Sequence, residues 1–311
     1  MEKISIVVPC YNEEESLPIF YEEICKVSKK MNYVDFEFLF IDDGSSDKTL
    51  KLLKEFNSKD KRVRYISFSR NFGKEAGMYA GLESSTGDFI AIMDVDMQDP
   101  PEMVIKMYDI IKKEDYDCVA LYTSSHDDYS IIRKFFTNCW YKFIDKLSSV
   151  KQVAGARDFR LMSRKMVDAI VSMKEYNRYS KGIFSFVGFK TKWIDYKTPA
   201  RVAGKTKWNF IKLFKYAMEG MVAFSTTPLV LSALIGILFC LIAFVAIIVI
   251  IVKTLVWSDP VSGWPSLACI IMFLSGLQLF FLGVIGMYLS KAYLEVKQRP
   301  LYIIKETEKD K

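Results

Sequence analysis

Two stretches of this chain carry no charged residue at all, and they limit what it can fold into more than any other feature. PLVLSALIGILFCLIAFVAIIVIIV runs from Pro228 to Val252, and LACIIMFLSGLQLFFLGVIGMYL from Leu267 to Leu289. Each exceeds the about 20 apolar residues that cross the hydrocarbon core of a bilayer. Helices buried in soluble proteins are usually shorter and interrupted by polar side chains, so both stretches are predicted to be transmembrane helices. The soluble part must then be built from the residues before them, with the charged segment Lys291 to Lys311 expected along the cytoplasmic surface. The N-terminus, MEKISIVVPCYNEEE, has early charges and only a short apolar run, which is not the layout of a secretory signal. The soluble part is therefore expected in the cytoplasm.

Within that part, Phe89-Ile90-Ala91-Ile92-Met93-Asp94-Val95-Asp96-Met97-Gln98-Asp99-Pro100-Pro101 is the most informative run. An apolar segment that breaks into Asp-x-Asp reads as a buried parallel strand delivering carboxylates at its C-terminal end, where open α/β sheets bind ligands. Asp94, Asp96 and Gln98 offer hard oxygen ligands suited to Mg²⁺ or Mn²⁺, the remaining positions going to water and phosphate. Taken alone, a solvated acidic turn explains the same residues.

Similar units precede it. Lys3 to Pro9 is β-branched and leads through Cys10-Tyr11-Asn12-Glu13 into an acid-rich helix start. Phe36 to Ile41 is a second strand, followed by Asp42-Asp43-Gly44-Ser45-Ser46-Asp47 and a helix to about Asn57. Asp42 at that strand end can accept a hydrogen bond from a base or ribose, while Gly44 to Asp47 form a turn and cap. Val63 to Ser67 is a third strand, after which Arg70 and Lys74 flank a glycine turn that suits a diphosphate and equally suits a solvated basic loop. Asp117 to Tyr122 is a fifth strand, and Phe184 to Tyr196 is strand-like. Strands alternating with helices predict an α/β fold with a mostly parallel sheet.

Two further segments are amphipathic. Tyr129 to Leu147 repeats apolar residues at helical spacing beside Arg133, Lys134, Lys142 and Lys146, and reads equally as a membrane-interface helix or a core-packed one. Lys207 to Phe224 runs directly into the first apolar stretch, and there the interfacial reading is favoured. Basic residues concentrate near it (Arg201, Lys205, Lys207, Lys212 and Lys215), which fits anionic lipid or phosphate rather than nucleic acid. Six cysteines without a C-x-x-C pair indicate neither a disulfide framework nor a zinc site. His126 is the only histidine, which argues against histidine-based nucleophile relays. Asp158, between Arg157 and Arg160, reads from its neighbours alone as an ion-paired structural carboxylate.

Together, Val8-Pro9-Cys10-Tyr11-Asn12-Glu13, Ile41-Asp42-Asp43-Gly44-Ser45, Arg70-Asn71-Phe72-Gly73-Lys74, Met93-Asp94-Val95-Asp96-Met97-Gln98-Asp99-Pro100-Pro101, Asp158-Phe159-Arg160-Leu161 and Arg201-Val202-Ala203-Gly204-Lys205-Thr206-Lys207-Trp208 closely resemble family 2 glycosyltransferases. More narrowly they resemble the polyprenyl-phosphate group, which includes bactoprenol glucosyltransferases and dolichol-phosphate mannose synthases. The resemblance extends over nearly the whole chain, through both apolar stretches to Glu295-Val296-Lys297-Gln298-Arg299-Pro300-Leu301-Tyr302. It implies a GT-A, Rossmann-like catalytic domain with amphipathic interfacial helices and two C-terminal transmembrane helices. The expected division is 1–200 for the cytoplasmic transferase domain, 201–226 for the interfacial segment, 227–290 for the membrane helices and 291–311 for a cytoplasmic tail.

The resemblance also implies roles. Pro9, Tyr11, Glu13, Asp42, Lys74 and Asp94 would bind the nucleotide sugar, and Asp94, Asp96 and Gln98 the Mg²⁺ or Mn²⁺ on its diphosphate. Asp158 and Asp96 would be catalytic, with Asp158 at the position of the base; apart from the resemblance, Arg157 and Arg160, close to it in sequence, are expected to keep it ionised. Arg133, Arg201 and Lys207 would face the lipid phosphate. Two departures stand out: Met287 where relatives often carry an acidic residue in Gly-x-x-Gly-Glu-Tyr, and Arg157 where a small residue is common.

The implied reaction is inverting transfer of glucose from a UDP-sugar to undecaprenyl phosphate at the cytoplasmic leaflet of the inner or plasma membrane. Both chain ends would be cytoplasmic, and a homo-oligomer stays open. One alternative keeps the reaction with mannose, N-acetylglucosamine or modified arabinose. Another, of a different class, is a non-enzymatic membrane adaptor or lipid-flipping component. Processive polysaccharide synthases need a Gln-x-x-Arg-Trp motif that this sequence lacks.

Overall fold

The computed structural model describes residues 1–123, 153, 155–196, 225–257 and 263–310. Strands and helices alternate from the start: β1 (Lys3–Cys10), α1 (Leu17–Lys30), β2 (Asp35–Asp42), α2 (Thr49–Lys59), β3 (Val63–Phe68), α3 (Lys74–Ser84), β4 (Phe89–Ile92), α4 (Met103–Lys113) and β5 (Cys118–Tyr122). After the amphipathic stretch at Tyr129, which lies outside the described residues, come β6 (Ala156–Ser163), α5 (Arg164–Ser172), α6 (Ser180–Phe186) and β7 (Thr191–Asp195). Two long helices, α7 (Thr227–Trp257) and α8 (Trp264–Val296), precede a last strand, β8 (Ile304–Thr307).

The eight strands form one sheet in the order β7-β5-β6-β4-β1-β2-β3-β8. Strand β1 runs parallel to both β2 and β4, and β2 is parallel to β3. Both faces of this centre are covered. Ile4, Ile6, Val8, Phe38 and Phe40 pack towards α1 and α4, whereas Val7, Leu39 and Ile41 pack with Ala76 and Ala80 of α3. That two-sided burial is why β1 and β2 read as continuous apolar runs rather than alternating ones. Each fully buried Phe, Ile or Leu removes apolar surface worth about 1.5–3 kcal/mol.

Strand β6 lies antiparallel between β4 and β5, so the expected parallel sheet is mixed at this end. The strand-like reading of Phe184 to Tyr196 is corrected in its first part. Phe184 belongs to α6, where Ser180, Ile183 and Phe184 are buried at helical spacing, and Gly188 (φ +71°) breaks the chain before β7.

The charged segment from Lys291 is also corrected. Its first residues continue α8, and β8 pairs antiparallel with β3. Tyr302 stacks on Phe68 at 4.8 Å and donates to Glu83 at 2.7 Å, while Lys54 pairs with Glu306 at 2.6 Å. Without β8 the edge of β3 would present unpaired backbone groups.

At the opposite end of the strands from the acidic loops, Glu37 is 3% exposed. It accepts hydrogen bonds from Ser5 Oγ, from Arg64 at 2.7 Å and from Thr86 N at 3.0 Å. Burial opposes its charge, but the Ser5, Thr86 and Arg64 donors outweigh it and lower its pKa from 4.5 to about 2. A depressed folded-state value stabilises the protein above the unfolded pKa and is lost as pH falls towards the folded one. Glu37 should therefore contribute on the order of 3 kcal/mol above about pH 4.5, lost by about pH 2. In thermal melts across that window, Glu37→Gln should flatten the pH dependence; an unchanged slope would remove Glu37 from the acid response.

The helices α7 and α8 contain the two uncharged stretches whole. Among the described residues, two helices are long and apolar enough to cross a membrane, with segments Thr227–Ala246 and Phe273–Val296 of mean hydropathy 3.0 and 1.7. Their large side chains are exposed, including Phe244 at 63% and Leu279 at 68%. Exposed apolar surface on that scale is stable only when something apolar covers it.

Candidate active site

The C-terminal ends of β1, β2 and β4 open side by side, and the loops that follow them are laced together. Asn12 takes a left-handed conformation (φ 54°), and its Oδ1 accepts from Ser46 N at 2.9 Å. Glu13 N donates to Thr49 Oγ1 at 2.9 Å, and Glu14 N to Asp47 Oδ2 at 3.1 Å. The loop after β1 is thereby fastened to the start of α2. Pro9 lies on β1 opposite Ile41, and Tyr11 is 41% exposed at the mouth.

Asp42 sits deeper than the sequence implied. It is 1% exposed, with Oδ1 accepting from Ser45 N at 3.0 Å and Oδ2 from Ser67 Oγ at 2.7 Å. Its neighbour Asp43 accepts from Phe72 N at 2.6 Å and Gly73 N at 2.9 Å, which fixes the turn into α3. Burial raises the Asp43 pKa, and those two backbone donors hold it back. Gly44 (φ +67°) completes the junction: a Cβ there would lie 2.5 Å from the Arg70 carbonyl carbon. Only glycine fits a left-handed position against a neighbouring backbone.

This turn aims Lys74 at the acidic loop. Its Nζ lies 2.8 Å from the Asp94 carboxylate and 2.6 Å from Asp158 Oδ2. One ammonium thus joins the loop after β4 to the neighbouring strand β6. Burial works against the Lys74 charge, yet Asp158 and Asp94 outweigh it and raise its pKa. The side chain is still 41% exposed, so solvent screens the pairs and they count for little as stability. Their consequence is positional.

Burial likewise opposes ionisation of Asp158, but the charges of Lys74 and then Lys181 hold its carboxyl well below the usual carboxylate range. The expectation that Arg157 and Arg160 perform this task is corrected for Arg157, while Arg160 contributes only after Lys74 and Lys181. Arg157 turns to the acidic loop, its Nε 3.0 Å from Asp99 Oδ1 and its Nη2 3.5 Å from Gln98 Oε1. Arg160 is 3% exposed and its chief partners are backbone oxygens, those of Asp158 at 3.2 Å and Arg157 at 2.9 Å, with its guanidinium 3.6 Å from the Phe184 ring centroid. It supports the strand, and lends Asp158 only a minor share of positive field.

Asp96 and Gln98 follow Asp94 in a turn where Gln98 N donates to Asp96 Oδ1 at 3.1 Å and Met97 has φ 59°. Asp99 is buried at 1% exposure and accepts from Tyr196 and Arg157. Asp94, Asp96 and Gln98 therefore share one short turn anchored by Asp99. No group of three His, Cys, Asp or Glu side chains close enough to hold a metal occurs among the described residues. A donor set of two carboxylates and one amide, all oxygen, still fits a hard cation of the Mg²⁺ type, which takes one or two protein carboxylates and completes its shell from phosphate and water.

Several residues here were not singled out from the sequence. Lys181 faces Asp158 from the first turn of α6, and Glu75 positions that turn by accepting from Ser180 N at 3.0 Å and from Ser180 Oγ. A Lys and a Glu in ordinary helical context give no signal before the fold brings them to the cluster. Asp43 did have one, as the second carboxylate of Asp-Asp-Gly. Arg133, Arg201 and Lys207 lie outside the described residues.

The chain is similar to several known proteins. The family model "Glycosyl transferase family 2" matches residues 5–171, which include the C-terminal ends of β1, β2 and β4. A prophage bactoprenol glucosyl transferase homolog of Escherichia coli (strain K12) is 40% identical over 307 residues, covering 99% of this chain and 100% of that protein. The SfII prophage-derived bactoprenol glucosyl transferase of Shigella flexneri is 40% identical over 305 residues, with 98% of each chain covered. Among solved structures, glucosyl-3-phosphoglycerate synthase from Mycobacterium tuberculosis in complex with Mn²⁺ and UDP-glucose matches with TM-score 0.44 and 15% identity, covering 71% of this chain and 77% of that one. With a family match over more than half its length and relatives aligned from end to end, the chain belongs to glycosyl transferase family 2 and is a transferase enzyme.

Proposed function

We propose that this enzyme transfers glucose from UDP-glucose, with inversion, to undecaprenyl phosphate at the cytoplasmic leaflet, releasing UDP. The observation that carries the reading is the Lys74 bridge between Asp94 and Asp158, which puts the end of the diphosphate-binding strand beside the carboxylate of β6. End-to-end identity to proteins named for bactoprenol supports the acceptor.

In this mechanism Pro9, Tyr11, Glu13 and Asp42 hold the nucleoside, Asp42 acting through the ordered turn it fixes. Asp94, Asp96 and Gln98 would hold Mg²⁺ or Mn²⁺, which supplies charge stabilisation to the departing diphosphate. An acceptor phosphate oxygen forms the new bond to the anomeric carbon from the face opposite the leaving group. As it does so the bond to the UDP β-phosphate breaks, and the electron pair leaves with UDP. Asp158 and Lys74 form a fixed ion pair that orients the cationic side of the pocket. Arg133, Arg201 and Lys207 would meet the acceptor's phosphate.

In this reading the chain divides at 200, 226 and 290, α7 and α8 are two membrane crossings, and the chemistry lies against the membrane. Pairing of β8 with β3 supports an even number of crossings, since residues after α8 must lie on the same side as the sheet. Lys205, Lys207, Lys212 and Lys215 before the first crossing, and Lys291, Lys297 and Arg299 after the second, support a cytoplasmic position for that side. A cysteine at Ser258, between the crossings, should react with an impermeant maleimide added outside intact cells; protection there would overturn the topology.

The direct test offers membranes containing the enzyme undecaprenyl phosphate and a panel of labelled nucleotide sugars. Glucosylated lipid formed only with UDP-glucose is the expected result, and another labelled lipid would reassign the sugar. Metal-dependent nucleotide-sugar binding separates an enzyme from a membrane adaptor.

A further inference from the structure

The turn after β4 carries Asp94, Asp96 and Gln98, and an arginine from another strand holds it. Strands β4 and β6 run antiparallel with Ile92 opposite Arg160, so the residues just before Arg160 lie alongside this turn. Arg157 is one of them. Its Nε donates to Asp99 Oδ1 at 3.0 Å and its Nη2 to Gln98 Oε1 at 3.5 Å. A guanidinium presents its donors in a rigid planar fork, so fastening one arm to Asp99 sets where the other arm reaches.

Gln98 is thereby held at its backbone N–H and at both of its oxygens. The N–H donates to Asp96 Oδ1 at 3.1 Å, the backbone carbonyl accepts from Tyr196 Oη at 3.2 Å, and Oε1 accepts from Arg157. Tyr196 also donates to Asp99, which ties the same turn to the end of β7. Such a grip has work to do here, because Met97 just before Gln98 has φ 59°, a left-handed conformation that side chains disfavour and that only its surroundings can maintain. Arg157 further fixes which way round the Gln98 amide lies. With its ends exchanged, NH₂ would face a guanidinium N–H, donor against donor.

An amide oxygen has two lone pairs, so Oε1 can take an N–H from Arg157 and still serve a hard cation. A guanidinium this close would ordinarily repel a divalent ion. Asp99 is 1% exposed and bonded to that guanidinium, and its charge offsets the repulsion. The pair thus delivers a donor to Gln98 without adding net positive charge beside the turn.

We propose that Arg157 is a positioning residue for the metal, acting through Gln98 by holding the amide with its oxygen presented for coordination. The inference rests on the assignment of Asp94, Asp96 and Gln98 to Mg²⁺ or Mn²⁺. The test measures by calorimetry how tightly UDP binds full-length enzyme in phosphatidylcholine nanodiscs, once in chelator and once in Mn²⁺. The ratio of the two dissociation constants is the coupling between metal and nucleotide. Arg157→Lys keeps a charge beside Asp99 but replaces the fork with a single ammonium. It should shrink the gain from Mn²⁺ about tenfold, as loss of a group that supports a metal ligand does, while UDP binding in chelator, which reports an intact nucleotide site, is unchanged. Gln98→Ala should shrink the gain at least as much, and the double variant should lose no more than Gln98→Ala alone. An undiminished gain in Arg157→Lys would overturn the inference. So would losses that add in the double variant, or equal weakening of UDP binding with and without metal, because Arg157 would then act apart from Gln98. Absence of any Mn²⁺ gain in wild type would overturn the metal assignment and this inference together, whereas the other three results leave that assignment standing.

Discussion

Asp158→Asn should lower transfer by on the order of 10²–10³-fold, by a similar factor from about pH 6 to about pH 9. A phosphate monoester has a second pKa of about 6, so at neutral pH most of the acceptor is already a dianion and has no proton to give up. Asp158 is also a poor base, because Lys74 and Lys181 hold its carboxyl well below the ordinary range against the effect of burial. A group adapted to take protons near neutrality would have its pKa raised towards the working pH. The amide variant keeps the shape and removes the charge, leaving Lys74 paired to Asp94 alone and free to neutralise it. The loss would then come from a misplaced cation rather than an absent base. Recovery of the variant towards wild-type rate at high pH would instead identify Asp158 as a general base.

The second large effect is expected at Asp94 and Asp96. Neutralising either should remove several kcal/mol of transition-state stabilisation, a loss of about 10³-fold, with the melting temperature little changed. Both residues follow β4 in a turn outside the packed strand, Asp94 bonded to an exposed lysine and Asp96 to a backbone N–H of its own turn. Substitution there leaves no cavity in the core. Transfer assays with and without a chelator, together with calorimetric titration of the nucleotide sugar, would check the prediction. Near-normal turnover of either variant in chelator would end the metal assignment.

What could be read in advance follows from how local the cause is. The apolar stretches, the parallel strands β1 to β4 and the acidic turn at Asp94 are written in contiguous residues, and the structure puts them at the expected positions. The antiparallel strand β6 is different, because Ala156–Ser163 carries three charged residues in its first five and makes an apolar run only at Leu161-Met162. Two of its charges have partners elsewhere, Asp99 for Arg157 and Lys74 for Asp158, while Arg160 bonds to backbone oxygens of its own strand beside the Phe184 ring. The misassignment of Arg157 as a counter-charge of Asp158 has the same origin. Adjacent residues in a strand point to opposite faces, so Arg157 next to Asp158 in the chain is turned away from it in space. The helix at Phe184 was hidden because aromatic and β-favouring residues surround it, while Glu75, far away in the chain, fixes its first turn.

The placement of β8 has a consequence for how the protein is made. Arg64 of β3 bonds to Glu308, 244 residues later, with α7 and α8 both translated in between. At ~5–20 residues per second a ribosome needs roughly 10 to 50 s to cover that distance. Throughout that interval β3 is an open sheet edge beside nascent apolar helices, and open edges invite pairing with other chains. In the proposed topology both apolar helices are synthesised before the strand that finishes the sheet, so a chain whose helices fail to insert would also keep an unsealed edge. Quality control would then meet one defect with two signals, uncovered apolar helices and an unpaired strand.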